Sequence, residues 1–158
     1  MSHAPAHQIV TFRLGEDYFA ADIFAVERVL RHASPTVVPN LPPWIDGVLE
    51  YQHRIIPVVN LRRRFGLPDV APRPEMRILV LASEGEWIGV VVDAVQEVVS
   101  VAAAQLAPPP ALFRGLSSEF LRGIVRLDDK LIVFLDVQRL LAADERLTLQ
   151  QATAAAHG

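Results

Sequence analysis

His3 and His7 stand four residues apart, the spacing that puts two imidazoles on one helix face, where they could share a metal ion. Pro5 lies between them in a short, loose segment, so a solvated tail is the better reading. His53 could move a proton near neutral pH. Its place at a hairpin tip reads first as an exposed turn residue. Asp128-Asp129 is a carboxylate pair, but it occupies the turn of a second hairpin and reads as solvated. Ser117-Ser118-Glu119 has the composition of a turn or cap. Arg62-Arg63-Arg64 reads as the solvated face of a short helix; nucleic-acid contact is a weak second, because the chain's net charge is −3. Gly-x-Gly-x-x-Gly, Gly-Lys-Ser/Thr and Gly-x-Ser-x-Gly are all absent from the sequence. The expectation is a protein without catalysis, cofactor or metal.

The elements around these residues come in two copies. Gly47-Val-Leu-Glu-Tyr-Gln-His-Arg-Ile-Ile-Pro-Val-Val-Asn lies over Gly123-Ile-Val-Arg-Leu-Asp-Asp-Lys-Leu-Ile-Val-Phe-Leu-Asp without a gap, at an offset of 76 residues. Each copy reads as strand, polar turn, apolar strand and a capping residue, Asn60 or Asp136, that opens a short helix. The first helix, from Leu61, is stopped by Gly66 and Pro68. The second runs from Asp136 to about Glu145. Ahead of each copy come two more strands, Ile9 to Leu14 with Tyr18 to Ile23, and Arg77 to Ala82 with Trp87 to Asp93. Ile23, Val26 and Leu30 recur at helical spacing, which predicts a helix through Ile23 to Leu30. Ala94-Val-Gln-Glu-Val mirrors Ala25-Val-Glu-Arg-Val once one residue is gapped. Pro57 inside a good strand predicts an edge or a bulge there. Runs such as Val90-Val91-Val92 predict strands buried on both faces, two barrels pressed together.

The composition, 51% hydrophobic and 21% charged, supports a packed core and not wholesale disorder. Cysteine is absent, which removes disulfides and thiolate chemistry. Met1 to His7 lacks the apolar core of a signal peptide, and no apolar run could span a bilayer as a helix. A cytoplasmic protein is expected, with no nucleic acid bound and no membrane insertion.

Leu41-Pro-Pro-Trp-Ile-Asp-Gly-Val, followed by Ile55-Ile-Pro-Val-Val-Asn-Leu-Arg-Arg-Arg-Phe, resembles the signature of the CheW-like domain. Gly89-Val-Val-Val-Asp-Ala-Val and Leu116-Ser-Ser-Glu-Phe-Leu-Arg-Gly resemble its second-half signatures. The resemblance implies a mainly β fold of two intertwined, SH3-like, five-stranded barrels with short helices and a hydrophobic core between them. Residues 1–8 read by composition as a disordered N-terminus and 146–158 as a flexible tail, which leaves 9–145 for the CheW-like domain. Within the domain, subdomain 1 would span about 18–67 and subdomain 2 about 77–135, with the N-terminal strand and C-terminal helix packing across. Pro68 to Pro74 is the candidate boundary.

The resemblance also implies a role: an adaptor linking methyl-accepting chemoreceptors to a CheA-type histidine kinase, with ring-like self-association in some relatives. The receptor-groove candidates are Val26, Arg28, Gly47, Val98 and Gly123. The kinase-facing candidates are Gln52, His53, Arg54 and Ile56. Val26 and Val98 read equally well as core. The family's Asn-Leu-Arg-Gly before the Ile-x-Pro strand is replaced by Glu50-Tyr51-Gln52-His53, and a family glutamate that faces that arginine aligns with Arg28. Arg28 is then expected to meet Glu50, Glu27 or the Gln52 carbonyl. This retuned hairpin favours an accessory, non-flagellar pathway. The competing readings are a small-molecule-binding β-barrel protein and a piece of a larger kinase or fusion.

Overall fold

The computed structural model describes residues 6–83, 85–108 and 121–139. The strands are β1 (Ala6–Leu14), β2 (Asp17–Asp22), β3 (Val26–Arg31), β4 (Ile45–Tyr51), β5 (Arg54–Asn60), β6 (Arg77–Ser83), β7 (Glu86–Val92), β8 (Ala94–Ala102), β9 (Leu106–Ala107), β10 (Leu121–Leu127) and β11 (Lys130–Leu135). One four-residue helix, α1 (Leu61–Arg64), follows β5, and Asn60 caps it by accepting from the Arg63 N–H at 3.1 Å. At the matching place Asp136 accepts from the Gln138 N–H at 3.1 Å and opens a 3-10 turn, Val137–Arg139. The rest of the expected final helix lies outside the described residues.

The strands form two open sheets. The first runs β8-β1-β2-β11-β10-β9 and the second β3-β6-β7-β5-β4. All neighbouring pairs are antiparallel except two. In the first sheet β2 runs parallel to β11, with Tyr18 against Ile132. In the second β5 runs parallel to β7, with Val58 against Gly89. Each sheet therefore takes a hairpin from one half of the chain and the remaining strands from the other: β8 to β11 join β1 and β2, and β3 to β5 join β6 and β7. The ranges 18–67 and 77–135 are stretches of sequence and do not coincide with the sheets. The Pro68 to Pro74 linker connects α1 to β6 inside the second sheet.

Three apolar cores result. Ile9, Ala20, Val101, Val125, Ile132 and Phe134 fill the first sheet's own interior. Tyr51, Ile56 and Val80, with Leu30, Leu49 and Trp87 against them, fill the second's. Between the sheets lies a third set, including Phe12, Leu14, Phe19 and Ala21 from one and Val59, Leu79, Leu81, Ile88, Val90 and Val92 from the other. Side chains alternate along a strand, so on β6 Leu79 and Leu81 serve the shared core while Val80 serves its own sheet. This is why the strands read as continuous apolar runs.

Three expectations change. Ile23 to Leu30 is not a helix: Ile23–Ala25 is a 3-10 turn, and β3 follows as an edge strand paired to β6. A register shift between Val26 and Arg28 leaves Glu27 as the extra residue of a bulge. The bulge turns Val26 toward the shared core and Leu30 toward the second sheet's interior. Two cores on opposite faces thus produced the spacing that resembles a helical stripe. Pro57 is not on an edge, because β5 lies between β7 and β4; a bulge falls on β4 between Ile45 and Gly47. Residues 6–8 belong to β1, where Ala6 pairs with Ala102, and His7 packs edge-on against Phe134 with ring centroids 5.8 Å apart. His7 is thus structural, and His3 lies outside the described residues.

A register shift between Val10 and Phe12 puts a bulge in β8 opposite Thr11, and a side chain clamps it. The Thr11 hydroxyl, 3% exposed, donates to the Glu97 carbonyl at 2.9 Å and accepts from the Glu97 N–H at 3.1 Å.

Because each sheet needs strands from both halves, residues 1–72 and 73–158 expressed separately are expected to be unfolded by circular dichroism. Mixing them should restore the β signal. Independent, cooperative unfolding of either half would contradict this topology.

Candidate functional site

Val26 and Arg28 lie on β3, an edge of the second sheet; Val98 lies on β8, an edge of the first. Val26 is half-buried, Arg28 is exposed, and Val98 is 55% exposed. Val26 and, on β8, Val95 pack against the same shared core, so the two edges flank it. Val98 pairs with Val10, and Val29 pairs with Leu79; both valines are exposed. Gly47 and Gly123 are buried and present no surface. Gly47 adopts φ +154°, and a Cβ there would collide with the Thr36 carbonyl. Thr36 in turn exchanges two backbone bonds with Val48, at 2.8 and 2.9 Å. A Cβ on Gly123 would lie 2.5 Å from the Ala107 carbonyl of β9. Both glycines seat a connecting segment across the second strand's neighbour, and neither lines an open groove.

The first hairpin carries Gln52, His53 and Arg54 at an exposed tip. Ile56 is 1% exposed and packs with Tyr51 and Val80, so its side chain cannot face a partner. Gln52 and His53 have φ +47° and +63°. Two left-handed residues in a two-residue hairpin turn call for Asn-Gly, and here neither is present. The turn is held from outside. Gln52 Nε2 donates to the Tyr51 hydroxyl at 3.1 Å. The Arg54 guanidinium sits 4.1 Å from the Trp87 ring centroid, and Arg54 donates to the Gly85 carbonyl at 3.4 Å. Tyr51 and Trp87 are tilted against one another at 5.4 Å. The ion pair expected of Arg28 is not formed: among the described residues it bridges to neither Glu27 nor Glu50, and does not bond to Gln52.

Arg62, Arg63 and Arg64 are not a free basic face. Asp93, 6% exposed, receives Arg62 through Nη2 and Nε and accepts from the Gly15 N–H at 2.6 Å. Arg62 also donates to the Pro68 carbonyl at 3.0 Å. This lock ties the β1–β2 turn, the β7–β8 junction and α1 together. Its signal in the sequence was slight, since Asp93 is 31 residues from Arg62. Arg63 pairs with Asp69 at 3.1 Å and faces Asp46 at 3.6 Å. The hydrogen bond and charge of Asp69 raise the Arg63 pKa above its ordinary value. Arg64 lies over Trp44, 5.0 Å from the ring centroid. These contacts give each arginine of the basic run a place within the fold.

Asp128 adopts φ +54° in the second hairpin turn, which explains a short acidic residue there. Ser117 to Glu119 lie outside the described residues. A cleft of about 1010 Å³ opens beside β2, β10 and β11, with Phe19, Phe65, Leu121, Ile124 and Val133 among its apolar lining. The stacked rings of Phe19 and Phe65, 5.6 Å apart, connect this wall to α1. Its charged groups, Glu16, Asp17, Arg126, Asp129 and Lys130, belong to strand ends and turns. Lys130 lies over Tyr18 at 4.6 Å. Among the described residues no three His, Asp or Glu side chains gather as metal ligands.

Two substitutions test this geometry by urea unfolding. Arg62→Leu leaves the Asp93 carboxylate buried without its cation and should cost roughly 3–5 kcal/mol. His53→Gly relieves a left-handed non-glycine residue and should add about 0.5–1 kcal/mol after glycine's entropy cost. A destabilised His53→Gly protein would show that the imidazole holds the turn.

Comparison with known proteins places this geometry among relatives. Residues 8–145 match the model of the CheW-like domain. The chain is 28% identical over 142 residues to Chemotaxis protein CheW of Treponema pallidum, covering 87% of this chain and 84% of that protein. It is 29% identical over 138 residues to Chemotaxis protein CheW of Klebsiella aerogenes, covering 87% and 83%. Protein FrzA of Myxococcus xanthus is 29% identical over 122 residues, covering 77% and 76%. The crystal structure of the scaffolding protein TtCheW from Thermoanaerobacter tengcongensis superposes with a TM-score of 0.82 at 32% identity, covering 90% of this chain and 92% of that one. With the two exchanged sheets, the shared core and a family match over nearly its whole length, this chain belongs to the CheW-like domain family.

Proposed function

We propose that this protein is a non-catalytic adaptor that couples methyl-accepting chemoreceptors to a CheA-type histidine kinase in chemosensory signalling. The observation that carries this reading is the family match over residues 8–145, joined to close superposition on a scaffolding protein. The physical arrangement suits it. The strand side chains are largely spent on three cores, and the polar clusters of Asp93, Asn60 and Thr11 hold backbone. What remains for recognition is edges and tips. In this reading the receptor's helical tip lies along the β3 and β8 edges, at Val26, Arg28 and Val98, while Gly47 and Gly123 act only by seating the strands. The kinase's regulatory domain meets the first hairpin at Gln52, His53 and Arg54, with Ile56 supporting it from inside. The adaptor works in the cytoplasm and can join ring-like assemblies. Among the described residues no helix is long and apolar enough to cross a membrane.

A second reading, an adaptor of an accessory pathway, is favoured by two observations. The hairpin departs from the family pattern at Glu50 to His53, with His53 in a glycine conformation. Protein FrzA, named apart from the chemotaxis proteins, is among the relatives. Pull-down from native lysate tests both: recovery of a histidine kinase and a methyl-accepting receptor supports the coupling role and names its pathway, whereas a folded bait that recovers neither sinks it.

Val98→Glu places a charge on the β8 edge without entering a core. It should weaken binding of a receptor tip by about tenfold or more, equivalent to about 1.4 kcal/mol, and leave stability within about 0.5 kcal/mol. Unchanged affinity would remove β8 from the receptor surface.

A further inference from the structure

An edge strand carries unpaired backbone groups, and folded proteins guard such edges with charge, bulges, brevity or cover. The two sheets end in β8 and β9, and in β3 and β4. β9 is only two residues long. β4 is bridged by Thr36, which exchanges two backbone bonds with Val48. β3 has its bulge and the exposed charges of Glu27, Arg28 and Arg31. β8 is nine residues long, and its bulge lies before Val98. Beyond that bulge, residues 98–102 carry neither charge nor proline.

The direction of the backbone groups follows from three bonds. Both the N–H and the carbonyl of Glu97 meet the Thr11 hydroxyl, so Glu97 faces β1. The Ala102 N–H goes instead to Gln105 Oε1 at 2.8 Å, away from β1. Residues along a strand alternate between these two directions. The register runs unbroken from Val10 against Val98 to Ala6 against Ala102. Val99 and Val101 therefore bond to β1, and the N–H and C=O groups of Val98 and Ser100 point outward. Among the described residues no strand pairs with that side of β8. Val98 and Ser100 are both exposed.

We propose that β8 pairs antiparallel with β8 of a second copy of this chain, about a two-fold axis through Val99. A two-fold interface must be complementary to itself, and this stretch is. The outward groups of Val98 match those of Ser100 in the second copy, and the reverse holds across the axis. Val99, which already packs against the first sheet's own core, meets Val99 of the second copy. Glu97 falls opposite Val101 of the second copy, so no like charges oppose one another. The Gln105 cap on Ala102 and the bulge before Val98 end the pairing on either side, which makes it small and reversible. The pairing does not rest on the coupling role. It covers Val98, so a partner that needs that position meets only the monomer.

Sedimentation velocity and amide exchange of the full chain test this. Between about 10 µM and about 1 mM, the span of a small transient interface, the chain should pass from monomer to dimer. Over that span the Val98 and Ser100 amides should become protected, while those of Val99 and Val101 are protected throughout. Ser100→Pro removes an outward donor and leaves the β1 ladder whole. It should weaken self-association by at least about tenfold, with the Tm of the dilute protein unchanged. Ser100→Lys sets like charges diagonally across the axis and should weaken it too, a second reading should the proline disturb the fold. Ser100→Thr should associate like the original. A chain that stays monomeric at the highest concentration overturns the inference. So does protection of Val98 and Ser100 in the dilute monomer, which would mean that the chain's own residues cover the edge. Dimerisation that neither Ser100→Pro nor Ser100→Lys weakens overturns it as well.

Discussion

The β2–β11 and β5–β7 seams are parallel, and parallel neighbours cannot be joined by a tight turn. Each half of the chain must therefore lend its first two strands to the other's sheet. The exchange brings the two sheets face to face through the strands they share, and creates the core that includes Phe12, Phe19, Leu79 and Val90. It also places the ends of β1, β7 and α1 within reach of one another, so that Asp93 can gather Gly15 and Arg62 from separate sheets. The polar lock is a consequence of the seams and secures them in turn.

A molecule organised this way keeps little interior for chemistry. Strands such as β6 are buried on both faces, and Thr11 and Asp93, the buried polar residues among those described, are occupied with backbone and partner side chains. Variation is left to turns and outer edges, where substitutions cost little. The first hairpin shows this: Gln52 and His53 adopt a conformation suited to other residues, and Tyr51, Arg54 and Trp87 hold them there. An adaptor can retune its contacts in such places without disturbing its three cores.

Much of this was legible in the sequence. The repeated hairpins, the caps at Asn60 and Asp136, and the double-faced burial followed from periodicity and spacing. What failed did so for physical reasons. A bulged edge strand serving two cores spaces Val26 and Leu30 like a helix. Ile56 reads as a hairpin residue until strand alternation turns it inward. Gly47 and Gly123 read as groove positions, yet each is required by the approach of a distant carbonyl. Arg62 looks solvated because its carboxylate partner is on another element. Pairings between distant segments leave no local trace, and sequence patterns report only local ones.

The seams also order events during synthesis. β2 ends at Asp22, but its parallel neighbour β11 begins at Lys130. The ribosome must deliver nearly all the intervening chain before that edge can close, so the early hairpin waits with an apolar face uncovered. β7 finds β5 much sooner, and the second sheet can form its register first. The β8–β1 pairing likewise joins strands made far apart in time. A partner that recognises both closed sheets thus meets only chains already synthesised past β11, and assembly itself certifies that the last seam has closed.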